Sequence, residues 1–134
     1  MNKILIDLYD GDYGRTLIIM VNSVECLQKI KAFFVLLSRK EAEFFSFSDC
    51  NFVKTKNSFN LIVKVKDDEN IKLINNNIVW TQIPEKWDFC AELIQGLLNK
   101  GIAGHQYLLE TPDLIVELSY KENPHFFGDE REKG

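Results

Sequence analysis

Apolar residues recur along this chain at two different spacings, and the spacing switches four times between its ends. Ile4, Ile6 and Leu8 alternate with Leu5, Asp7 and Tyr9, the period-two pattern of a strand, and residues 16–21 repeat that texture. The intervening Asp10-Gly11-Asp12-Tyr13-Gly14 supplies turn chemistry, so a hairpin is predicted. Apolar positions then fall three and four apart at Cys26, Leu27, Ile30, Phe33, Phe34 and Leu37, a helix that Ser23 is placed to cap and that closes on Ser38-Arg39-Lys40, basic residues suited to its dipole. Residues 44–47, 52–56, 59–66, 71–74 and 78–81 are short extended candidates, with Phe59, Leu61, Val63 and Val65 facing inward. A second helical stripe, Trp87, Cys90, Ala91, Ile94, Leu97 and Leu98, follows Pro84 and stops at Gly101, with Ile102 expected to pack back on it. Residues 105–110 and 114–120 close the pattern as a hairpin around Thr111-Pro112-Asp113.

The order is therefore ββα, three to five strands, then αββ, without βαβα alternation. It predicts an α+β domain, a mostly antiparallel sheet with two helices packed on one face. At 134 residues the chain suits one such domain, assigned to residues 1–127 with a polar, frayed tail at 128–134. Seven glycines and three prolines are too few for a fibrous or low-complexity chain. No apolar run reaches the roughly 18–20 residues of a membrane-spanning helix, and Asp7 interrupts the first apolar stretch too early for a signal peptide. Cys26, Cys50 and Cys90 are odd in number, widely spaced and without a CxxC pair, which argues against a disulfide framework or zinc ribbon and for a reducing cytoplasm.

Most catalytic chemistries lack their residues. There is no GxGxxG and no Walker-type Gly-Lys-Ser or Gly-Lys-Thr. Cys26 and Cys90 sit on the helical apolar stripes, where a thiol acts as a small hydrophobe, and Cys50 stands in a loop without a nearby His to activate it. His105 and His125, twenty residues apart, do not define a metal site by spacing, so no metal or other cofactor is expected. Asp7, Asp10 and Asp12 lack the remaining ligands of a calcium loop and serve the turn; their alternative use is in a small metal-dependent hydrolase, converging with His105 on one pocket. Glu110 and Glu117 are placed to face each other across the last hairpin. A regulatory or assembly module presenting Phe126 and Phe127 is a further alternative.

Charge is unevenly divided. Residues 1–67 carry 10 basic and 8 acidic side chains, whereas residues 68–134 carry 6 basic and 12 acidic ones, giving net charges of +2 and −6. The net −4 of the whole chain argues against a dedicated nucleic-acid binder. Lys54, Lys56, Lys64 and Lys66 form a basic stripe if their strands are neighbours, but no aromatic residues interleave them for base stacking. The acidic half suits a basic protein partner.

Residues Ile78-Val79-Trp80, Trp87, Leu97-Leu98, the run Gly104-His105-Gln106-Tyr107-Leu108, and Ser119 with Glu122 resemble small bacterial immunity proteins of polymorphic toxin and contact-dependent growth inhibition systems. The resemblance spans residues 78–122, and Gly104 to Leu108 is its distinctive part. It implies a non-catalytic cytoplasmic protein that binds a cognate toxin domain and covers its active site or a neighbouring surface. Asp67, Asp68, Glu69, Glu85, Asp88, Glu92, Glu110, Asp113 and Glu117 form the acidic pool expected to make contact. Gly104, His105, Gln106 and Tyr107 read as a structural corner: Gly104 for a sharp turn, His105 and Gln106 for bonds to loop carbonyls, Tyr107 and Leu109 alternating onto one face.

Overall fold

The computed structural model describes residues 4–11, 14–50, 53–55, 60–112 and 114–122. In chain order the elements are β1 (Ile4–Gly11), β2 (Gly14–Val21), α1 (Val24–Ser38), β3 (Phe44–Ser46), a 3₁₀ turn (Phe47–Asp49), β4 (Val53–Thr55), β5 (Asn60–Val65), β6 (Asn70–Ile74), β7 (Asn77–Gln82), α2 (Pro84–Lys100), β8 (Gly104–Glu110) and β9 (Ile115–Tyr120). The α+β class and the expected order hold. The strands divide into two sheets, a five-stranded one in the order β4-β1-β2-β9-β8 and a four-stranded one in the order β3-β5-β7-β6. Hairpins β1–β2, β6–β7 and β8–β9 are antiparallel, as is β3–β5, while β1–β4, β2–β9 and β5–β7 pair in parallel.

Local chemistry sets the element ends. Ser23 caps α1, its side chain accepting from the Cys26 amide at 3.2 Å. Arg39 and Lys40 lie beyond the last turn of α1 rather than in it. Pro84 occupies the start of α2, where its missing N–H costs no helical bond, and Gly101 ends the helix in the left-handed conformation at φ 69°. Ile102 does not pack back: it is 66% exposed.

Both sheets and both helices meet in one apolar core. The five-stranded sheet contributes Ile4, Ile6, Leu17, Ile19, Val21, Leu108, Val116, Leu118 and Tyr120, and the four-stranded sheet Leu61, Val63, Ile78 and Trp80. Phe34 of α1, Trp87 of α2 and Trp80 of β7 form the centre, with ring centroids 5.0 Å (Phe34–Trp87), 4.7 Å (Trp80–Trp87) and 6.1 Å (Phe34–Trp80) apart. The indole N–H of Trp87 donates to the Lys64 carbonyl at 3.0 Å, tying α2 to β5. Strand β2 is covered on both faces: Leu17, Ile19 and Val21 are buried in the main core, while Ile18 and Met20 join Leu5 in a small separate cluster on the other side. A strand buried on both sides reads as a continuous apolar run, as residues 17–21 do.

The division into two sheets separates the strands expected to carry the basic stripe side by side. Lys54 lies on β4 of the five-stranded sheet, whereas Lys64 lies on β5 of the four-stranded sheet and Lys66 follows it. Lys56 and Phe59, the Asp12 turn position, Asp113, the segment holding His125, Phe126 and Phe127, and the 128–134 tail lie outside the described residues.

Candidate functional site

Two surfaces carry most of the residues singled out by sequence. On α2 the inward stripe of Trp87, Cys90, Ala91, Ile94 and Leu97 is buried, which fixes the opposite face toward solvent. Glu85, Asp88 and Glu92 are exposed there, and Phe89 among them is 52% exposed. Residues three and four apart on a helix are surface neighbours, so Glu85, Lys86 and Glu92 surround Phe89, and Asp88 adjoins it in sequence. Asp67, Asp68 and Glu69 are exposed in the β5–β6 connection. Because β5 and β7 run parallel, with Val65 opposite Gln82, that connection leaves the sheet at the same end as the start of α2.

The second surface is the outer face of the five-stranded sheet. Alternation on β8 sends Gly104 and Gln106 toward α2 and His105 and Tyr107 away from it. A Cβ on Gly104 would stand 3.2 Å from Leu97 Cδ2, and one on Gly96 would stand 3.6 Å from Gln106 Nε2. Gly104 thus answers to the close packing of α2 on β8, where a Cβ would make Leu97 give way by a few tenths of an ångström, and not to the sharp turn expected of it. His105 bonds a carboxylate instead of a loop carbonyl: its Nδ1 lies 2.8 Å from Glu122 Oε2. Ser119 Oγ donates to Glu122 Oε1 at 3.0 Å. The left-handed backbone at Lys121, φ 59°, and its amide bond to the Val21 carbonyl turn the chain beyond β9, just before Glu122. Register places Glu117 opposite Tyr107 and Ser119 opposite His105, so His105 and Glu117 are diagonal neighbours on one face. A bulge between Tyr107 and Leu109 breaks the alternation expected of that pair: Tyr107 stays exposed, and Leu108 and Leu109 both pack toward the core.

Electrostatics follow from this geometry. The hydrogen bond to Glu122 raises the His105 pKa above its ordinary value, against a smaller opposing effect of burial, and the negative charges of Glu122 and Glu117 add to the rise. Burial raises that of Glu117, and repulsion from Glu122 adds to it; His105 and a hydrogen bond from Tyr9 act the other way. The Glu122 carboxylate accepts from the Ser119 hydroxyl and pairs with the His105 ring. A nucleophilic triad needs the imidazole, rather than the acid, between hydroxyl and carboxylate, so these bonds do not activate Ser119.

Other expectations fare differently. Asp7 and Asp10 have opposite parity on β1 and point to opposite faces of the sheet. Asp7 Oδ1 accepts from the Leu8 amide at 2.9 Å. Its strand is three places from that of His105, roughly 14 Å at the usual inter-strand spacing, so these residues do not converge on one pocket. Glu110 pairs with Ile115 and Glu117 with Tyr107, so the two glutamates do not face each other. Burial and the adjacent Asp49 charge raise the Cys50 thiol pKa, the opposite of activation, with a weaker counter-effect from Lys29. Glu117 was legible only as a surface carboxylate, because its diagonal relation to His105 depends on the register of the last hairpin. No helix among the described residues is long and apolar enough to cross a membrane. No family model, curated protein or solved structure matches this chain.

Proposed function

We propose that this chain is a non-catalytic, cytoplasmic binding protein of the immunity type, which neutralises a cognate bacterial toxin domain by covering it. The observation that carries the reading is the outward face of α2, where a large aromatic side chain, Phe89, is 52% exposed among Glu85, Asp88 and Glu92, with the exposed Lys86 beside them, a net acidic surround. An exposed aromatic within a charged ring has the composition of an interface anchor and its polar rim. The carboxylates suit a partner with a basic cleft, such as a nuclease domain, and like charge disfavours acidic partners. The β5–β6 residues Asp67, Asp68 and Glu69 extend the acidic character at the end of the molecule where α2 begins. Convergence of His105, Ser119 and Glu122, three of the residues that carry the resemblance to immunity proteins, also supports the reading.

Co-expression with the product of the adjacent upstream gene tests it, a toxic C-terminal domain there being what the reading expects. Rescue of growth is expected from the natural chain, and loss of rescue from a folded variant combining Phe89→Ala with Glu85→Lys, Asp88→Lys and Glu92→Lys. Failure of the natural chain to rescue would overturn the immunity reading; full rescue by the variant would remove α2 from the interface.

A further inference from the structure

Imidazole and carboxylate ligand atoms of His105, Glu117 and Glu122 all lie within 4.8 Å of one another on the outer face of the five-stranded sheet. They come from three places in the chain: β8, β9, and the residues just past β9. We propose that these three side chains form a divalent transition-metal site, with Zn²⁺ the ion they suit best, bound by one imidazole nitrogen and one oxygen from each carboxylate. The inference is independent of the partner assigned above.

The donor set selects the ion. Mg²⁺ and Ca²⁺ favour all-oxygen surroundings of six or more ligands, whereas one imidazole with two carboxylates is a familiar set for Zn²⁺ and other first-row cations. Ligand bonds of about 2.0–2.2 Å place tetrahedral donors roughly 3.3–3.6 Å apart, so small side-chain rotations close the present cluster around an ion. The His105 and Glu122 side chains remain 43% and 31% exposed, which leaves a fourth position for water or a group from a partner.

Metal ligands are usually held by an outer layer of hydrogen bonds, and both carboxylates have one. The Ser119 hydroxyl holds one oxygen of Glu122 at 3.0 Å, leaving the other toward His105, and the Tyr9 hydroxyl donates to Glu117. A hydrogen-bonded His105–Glu122 pair alone would explain two of the three residues. It does not use Glu117, a half-buried carboxylate held by Tyr9 beside a second carboxylate. A +2 ion offsets both charges.

The test is calorimetric titration of Zn²⁺ into the tag-free, chelator-treated full chain. A Cys50→Ser, His125→Ala background keeps the loop thiol and the other imidazole from contributing. One ion per chain is expected, together with a higher melting temperature. In Glu117→Gln and in His105→Ala, each verified as folded by circular dichroism, affinity should fall by about tenfold or more and the thermal gain should vanish. Absence of saturable uptake by the folded parent overturns the proposal. So does unchanged affinity in Glu117→Gln, because a site built only from the His105–Glu122 pair does not use that carboxylate.

Discussion

Helices α1 and α2 solve the same inward problem and differ outward. Each buries a stripe at three-and-four spacing, Cys26, Leu27, Ile30, Phe34 and Leu37 on one and Trp87, Cys90, Ala91, Ile94 and Leu97 on the other. They pack side by side, Phe34 against Trp87, with Lys31 Nζ donating to Gln95 Oε1 at their junction. Outward, α1 exposes Val24, Glu25, Gln28, Lys29 and Ala32, a surface of mixed and balanced charge. The corresponding surface of α2 carries Glu85, Asp88 and Glu92 with Lys86, a net acidic set, and holds Phe89. Folding accounts for the inward stripes of both helices; outward, α1 leaves Val24 41% exposed and α2 leaves the larger Phe89 52% exposed within a net acidic set, and the pairing of an aromatic with carboxylates is what sets α2 apart.

The largest effect that probes this comparison is truncation of the inward aromatics. Trp87→Ala and Phe34→Ala should each cost about 3–5 kcal/mol in denaturant unfolding, because each empties a site in a fully buried cluster. The double variant should lose less than the sum, by roughly 0.5–1.5 kcal/mol, if the two rings act as a pair. Strict additivity would show that the helices are anchored separately. Next come the helix ends. Ser23→Ala should cost about 1 kcal/mol through the lost bond to the Cys26 amide. Gly101→Ala should cost a comparable amount, roughly 1 kcal/mol, by forcing a side chain into left-handed backbone. Ile83, which precedes α2 and makes no side-chain cap, should tolerate Ile83→Ala with respect to capping.

A pH measurement sharpens the comparison further. Burial raises the Cys90 thiol from its ordinary 9.0 to about 11, against the smaller opposing effects of the Gln82 hydrogen bond and Lys86. The folded pKa lies above the unfolded one, so the unfolded chain loses its proton first as pH rises. The stability contribution of Cys90 is therefore fully present below about pH 9 and lost as pH climbs toward about 11. Unfolding followed between pH 8 and 11 should show a decline that is shallower in Cys90→Ala. Identical slopes in the two proteins would mean that the thiol is better solvated than its position under Leu108 implies.

The elements were legible because their signals are local. Period-two alternation located β1 and β2, three-and-four spacing located both helices, and Ser23, Pro84 and Gly101 marked helix ends with the chemistry those positions require. Sheet assignment was not legible, since the parallel pairing of β2 with β9 joins segments about a hundred residues apart and depends on tertiary packing. For the same reason the strands of Lys54 and Lys64 were expected to be neighbours although they belong to different sheets, and the meeting of His105 with Glu117 and Glu122 went unseen. The motif around Gly104 was visible, but its cause was not: the glycine answers to Leu97, a residue on another element.

The smallest expected effect on stability is also the one on which the comparison turns. Phe89 lies two positions from Trp87 on the same helix, yet Phe89→Ala should shift unfolding free energy by no more than about 0.5 kcal/mol, the ordinary range for a surface position. Helix propensity favours alanine over phenylalanine, so a small gain is as consistent as a small loss. A cost approaching that of Trp87→Ala would mean that Phe89 belongs to the fold, and α2 would then present no unexplained apolar group to a partner. If stability is unchanged, any loss of binding in the same variant reports contact energy directly, because the population of folded chains has not moved.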